Sequence, residues 1–179
     1  VVIKRYNIKS ALHALSRCWR PTRAEHSWIC AHLLELLGVP ALQALALLEH
    51  RRGWLRGRAW FVSTDVGGEN LLDVGTRAPL TQSTLTALRR IFEAMIAASL
   101  SHGDFKATNF LVCDPESESG VMLIDLDAMR RHRTRAGWRR AFLGDLARLR
   151  RNWPEGSPTR MQIDTLIAGL PIATGWGRL

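Results

Sequence analysis

The stretch Ser101-His102-Gly103-Asp104-Phe105-Lys106-Ala107-Thr108-Asn109 sets chemically able side chains in the order H-x-D-x-K-x-x-N. The carboxylate of Asp104 can accept or orient the proton of an attacking hydroxyl. The ammonium of Lys106 can neutralise a migrating anionic group, and the amide oxygen of Asn109 can ligate a hard cation. His102 reads as support for the loop rather than as an acid or base. After a polar gap, the apolar run Val121-Met122-Leu123-Ile124 ends on Asp125, a second hard oxygen donor, with Asp127 just beyond it. A proton acceptor, a cation and two oxygen ligands meet the needs of phosphoryl transfer.

These residues need elements to carry them. Val1-Val2-Ile3 leads into Lys4 and reads as a strand over 1–6. Residues 10–19 suggest a short helix or an irregular connection. Pro21 and Thr22 open a longer helix, with Thr22 as N-cap and Gly38-Val39-Pro40 as its stop. Ala24, Trp28, Ala31 and Leu34 then share one face. Segments 41–49 and 58–64 read as antiparallel strands around the turn Arg51-Arg52-Gly53-Trp54, although the Leu/Ala-rich first segment suits a helix equally. The connector Asp65-Val66-Gly67-Gly68-Glu69-Asn70 divides the chain into halves 1–68 and 69–179. The strongest helix covers 81–100, with Leu85, Leu88, Phe92, Met95 and Ile96 in one stripe. Strands over 110–113 and 121–125 flank a polar turn. A basic segment over 130–140 leads into a helix ending near Arg151, and 161–168 is helical again. The order specifies an α+β fold, with a small mixed half and a mainly helical one.

In that context the loop and the strand end match the catalytic centre of kinase-like enzymes. Asp104 and Lys106 are the catalytic candidates, and Asn109 and Asp125 the ligands for magnesium. Lys4 resembles the strand lysine that grips the α- and β-phosphates of ATP. Its acidic partner should lie on the following helix. Glu25 is favoured there, with Glu35 and Ser27 on the same segment. The expected architecture is a two-lobe protein-kinase-like fold whose small lobe is truncated, without the first strands and the Gly-rich loop. A chain that opens inside a strand without Met reads as a fragment.

The chain also resembles the bacterial lipopolysaccharide kinase family, which includes 3-deoxy-manno-octulosonic acid (Kdo) kinases and heptose kinases. The resemblance rests on Val2-Ile3-Lys4-Arg5-Tyr6, Arg20-Pro21-Thr22-Arg23-Ala24 with Trp28, Gly38-Val39-Pro40, the Gly103-Asp104-Phe105-Lys106 wording, and Leu123-Ile124-Asp125-Leu126-Asp127. Asp145-Leu146-Ala147-Arg148-Leu149 resembles the family's late helix. It implies ATP-dependent phosphorylation of an inner-core sugar hydroxyl at the cytoplasmic face of the inner membrane. It carries over Lys4, Asp104, Asn109 and Asp125. Relatives are expected to hold the helix glutamate immediately before the Trp, where this chain has Ser27.

Bulk composition agrees with an anionic substrate. Lys and Arg total 25 against 16 acidic residues, a formal charge of +9 over 179 residues. Arg130, Arg131, Arg133, Arg135, Arg139 and Arg140 follow Asp125 and suit the phosphates and carboxylates of the lipopolysaccharide core and lipid A, with peripheral membrane contact. Nucleic acid is not expected, because no recognition helix or stacking aromatics accompany them. Cys18, Cys30 and Cys113 form no zinc or redox spacing. No signal peptide or bilayer-length apolar run is visible, so a cytoplasmic setting is expected. Rival readings are a kinase of a protein or another small molecule, and a membrane-associated pseudokinase acting as a binding module. The intact loop argues against the second; Ser27 argues for it.

Overall fold

The computed structural model describes residues 1–6, 21–53 and 55–172. The segment 10–19 therefore lies outside the described residues. The chain forms two compact units, Val1–Asp65 with Asp125–Asp127, and Val66–Ile124 with Ala128–Leu179.

The first unit is a three-stranded antiparallel sheet covered by one helix. Strands β1 (Val2–Tyr6), β2 (Ala44–Arg52) and β3 (Leu55–Ser63) lie in the order β1-β3-β2, with Lys4 opposite Phe61. The ambiguous Leu/Ala-rich segment is therefore a strand. Its partner β3 carries the aromatic and β-branched run Trp60-Phe61-Val62, and pairing with it supplies the backbone bonds a lone helix would have made internally. Alternation along β1 puts Lys4 and Tyr6 on one face.

Helix α1 (Arg23–Leu36) packs on this sheet. Thr22 caps it as expected: its Oγ1 accepts from the Glu25 amide at 3.1 Å and donates to Glu49 Oε1 at 2.6 Å. The far end closes through Val39 N to Leu34 O at 2.9 Å, with Gly38 left-handed at φ 66. The buried face holds Ala24, Ser27, Cys30, Ala31 and Leu34, while Trp28 is only half-buried. The expected stripe is thus rotated. Trp28 stacks edge-on against His32, and a serine takes the inward place.

The second unit centres on α3 (Gln82–Ala97), whose Leu88, Ile91, Phe92, Met95 and Ile96 are buried. The helix stops short of residue 100. Leu100–Ser101 instead forms β5, paired with β8 (Arg130–Arg131), and Ser99 turns the chain at φ 55. A second sheet joins β4 (Glu69–Asn70), β6 (Phe110–Val112) and β7 (Val121–Leu123) in the order β4-β6-β7. The expected flexible connector thus ends in a strand, followed by helix α2 (Leu71–Arg77), which sequence periodicity did not reveal. Seven residues containing a glycine carry too little periodicity to register. Helices α4 (Arg135–Arg150) and α5 (Pro158–Ala168) complete the unit. Gln162 on α5 bonds both the N–H and the C=O of Leu80, at 2.8 and 2.9 Å, and so ties α5 to the start of α3. Trp138 is fully buried, stacked on Phe142, and donates Nε1–H to Leu100 O at 3.1 Å.

Candidate active site

In the second unit, the loop between β5 and β6 is anchored by its own apolar residue. Phe105 is fully buried among Phe92, Phe110, His102 and Phe142, with ring centroids 4.8–6.3 Å apart. That anchorage leaves the flanking polar residues facing outward. Lys106 Nζ lies 3.0 Å from Asp104 Oδ2. Asn109, in a short 3-10 turn, donates its side-chain Nδ2–H to Asp104 O at 2.7 Å and takes the Ile124 amide on its backbone carbonyl at 2.9 Å, so its side-chain oxygen is not used by either bond. Asp104, Lys106 and Asn109 are therefore brought together, and the amide nitrogen of Asn109 is committed while its oxygen is left for a ligand.

His102 is fully buried and donates Nε2–H to Ile124 O at 3.0 Å, tying the loop to the residue that follows β7. This is a supporting role, as its sequence context suggested. Gly103 sits at φ 80, and a Cβ there would meet Ala128 O at 2.6 Å. Only glycine allows that approach.

Two residues on α4 complete the loop's support. The buried carboxylate of Asp145 accepts from the His102 amide at 2.7 Å and from the Gly103 amide at 3.1 Å. Burial pushes its pKa above the usual carboxylate range, and these amides offset part of the rise. Arg148 donates to Gly103 O and reaches Asp104 Oδ1 at 3.9 Å. Sequence reasoning placed both on a late helix without a site role. Their spacing of three, one helical turn, is the signal that could have joined them.

In the first unit, Lys4 on β1 bonds Asp125 Oδ1, and Asp127 Oδ2 stands 3.8 Å from the same ammonium. Burial alone would lower the Lys4 pKa. The bond to Asp125 and the fields of Tyr6, Asp125 and Asp127 outweigh it, and the ammonium is held above its usual value. Asp127 also pairs with Arg23 from the start of α1. The Tyr6 ring meets Lys4 Nζ at 5.4 Å and the Arg23 guanidinium at 5.6 Å, and Tyr6 Oη lies 3.2 Å from Ser27 Oγ. Glu25 occupies the first turn of α1, where an acid suits the helix dipole. Sequence reasoning assigned no role to Asp127 or Arg23, which pair here beside Lys4.

Among the described residues, no group of three or more His, Cys, Asp or Glu could hold a metal. Magnesium needs less: it keeps several waters and binds through one or two hard oxygen donors. The side-chain oxygen of Asn109, in the second unit, and the carboxylate of Asp125, in the first, are each donors of that kind, so the chemistry of each fits.

The comparisons place these features in a class and then in a family. A solved structure described as WaaP in complex with acyl carrier protein is similar to this chain, with TM-score 0.60 and 21% identity over 84% of this chain and 68% of that one. The fold is protein-kinase-like; 235 solved chains match this one, so fold alone names no acceptor. The family model does more: it matches residues 3–169, and the chain belongs to the lipopolysaccharide kinase (Kdo/WaaP) family. It is a phosphotransferase acting on a sugar hydroxyl of lipopolysaccharide. Comparison with curated proteins returned no match.

Proposed function

We propose that this enzyme transfers the γ-phosphoryl group of ATP to a Kdo or heptose hydroxyl of the lipopolysaccharide inner core, with magnesium. Asp104 takes the proton as the sugar oxygen bonds to phosphorus, the bridging bond to ADP breaks, and Lys106 offsets charge on the moving group. Asn109 and Asp125 would hold magnesium, which would shield the phosphate oxygens when bound. Lys4 grips the nucleotide phosphates, as its match to the strand lysine suggests. The exposed arginines of 130–140 meet the acidic groups of lipid A and core, at the cytoplasmic face of the inner membrane. Acyl carrier protein, bound by the similar WaaP structure, is a candidate protein partner.

The observation that carries this reading is the internal bonding of the loop, which holds Asp104 beside Lys106 and leaves the oxygen of Asn109 for a ligand. Incubation of the full-length protein with labelled ATP and lipopolysaccharide lacking core phosphate tests it. Label should enter the sugar, and Asp104→Asn should cut the rate by ~10²-fold or more, the range of a general base. Absence of transfer to Kdo-only and heptose-bearing acceptors alike would defeat the proposal.

A further inference from the structure

In kinase-like sites the phosphate-gripping lysine is held by a glutamate from the helix beside it. Here the buried α1 residue that meets β1 through a side-chain contact is Ser27, and its Oγ is occupied with Tyr6. A neutral hydroxyl supplies no charge to hold an ammonium. The acids that do approach Lys4 come from the segment after β7.

Of those two acids, Asp125 is the magnesium candidate. A carboxylate engaged by a divalent cation is poorly placed to hold a lysine as well. Asp127 is differently situated. Its side chain is only 7% exposed, its Oδ2 lies 3.8 Å from Lys4 Nζ, and it is ion-paired with Arg23 at the first position of α1. The low exposure of this carboxylate limits screening on its side of the pair, while the Lys4 side chain stays 40% exposed. The Arg23 pair fixes the carboxylate to the helix, and the Tyr6 ring flanks both cations. A single acid thereby joins strand and helix, the task a helix glutamate performs elsewhere.

We propose that Asp127, anchored by Arg23, is the positioning residue that holds Lys4 for the nucleotide, in place of a helix glutamate. This rests on the nucleotide-binding reading above. The test is equilibrium binding of ADP to the full-length protein, in magnesium and separately in EDTA. It compares wild type, Asp127→Asn, Glu25→Gln, Lys4→Met and the double variant Lys4→Met/Asp127→Asn.

Asp127→Asn should weaken ADP roughly tenfold in both buffers, more than Glu25→Gln does. The double variant should bind no more weakly than Lys4→Met alone, because coupled residues are not additive. Equal binding by Asp127→Asn and wild type overturns the inference. So does a loss confined to the magnesium buffer, which would make Asp127 a metal ligand, or a larger loss from Glu25→Gln. Should thermal melting show Asp127→Asn unfolded, Arg23→Gln takes its place. It should weaken ADP in both buffers by at least threefold, roughly half the tenfold loss in free energy, and an unchanged affinity again overturns the proposal. Wild type that binds no ADP in either buffer defeats the phosphotransfer reading itself, a result distinct from all of these.

Discussion

Asp125 carries the most informative backbone angle in the molecule. Its φ of 58 is left-handed, a conformation that costs a non-glycine residue about 1–3 kcal/mol and persists where the surroundings over-determine it. Here the constraint comes from Ile124, bonded on one side to Asn109 and on the other to His102, and from the Lys4 pair. Strain of this kind at a proposed metal ligand fits a residue placed for function. The thiols show the opposite case. Burial pushes Cys30 up to about 11, and Cys113 is also raised but lies at the surface. Since the thiolate is the reactive form, Cys113 should alkylate before Cys30 at pH 8, and Cys30 should stay protected until the pH nears its raised value. Mass spectrometry of an iodoacetamide time course checks the order. Faster labelling of Cys30 than of Cys113 would contradict the burial argument.

The catalytic loop and α4 act as a pair of elements. The loop between β5 and β6 has little secondary structure of its own, and its shape is held by Phe105 inside and by Asp145 and Arg148 across. Gly103 is the point of closest approach, where left-handed backbone and the Ala128 carbonyl both exclude a side chain. Gly103→Ala should therefore cost more than ~1 kcal/mol, seen as a melting temperature lower by about 3 °C or more. Phosphate transfer should fall further than stability, since the adjoining Asp104 moves with the loop. An unshifted melting temperature would mean that the loop yields at little cost. The sequence motif located this loop without difficulty, because its polar spacing lies within a few residues. It did not locate α2, a helix of seven residues, or settle β2, whose Leu/Ala composition suits either state until a partner strand is present.

At the scale of the whole molecule, charge is the dominant property. The formal charge of +9 includes exposed Arg130, Arg131, Arg133, Arg139 and Arg140. Among the described residues no helix is long and apolar enough to cross a membrane. A peripheral contact would then depend on charge, with each arginine near an anionic surface contributing about 1 kcal/mol. Full-length protein should sediment with phosphatidylglycerol vesicles in dilute salt and be released at about 1 M salt, where the screening length shrinks to ~3 Å. Replacing Arg133, Arg139 and Arg140 by glutamine should weaken sedimentation without lowering the melting temperature. Binding that persists at high salt would point to an apolar contact instead.

The sequence alone was enough for the family and its phosphotransferase class, because the H-x-D-x-K-x-x-N loop, the apolar strand ending at Asp125 and the family resemblance all rest on neighbours along the chain. The helix cap at Thr22 was equally legible, because a cap bonds an amide three residues away. Tertiary structure decided the rest. That Ser27 rather than Trp28 turns inward, that Asp145 and Arg148 brace the loop, and that Lys4 meets Asp125 and Asp127 more than a hundred residues away are matters of packing. The physical reason is range. Local spacing constrains backbone geometry over a few residues, whereas the choice of an ion-pair partner depends on which distant strand end the folded core brings to that face.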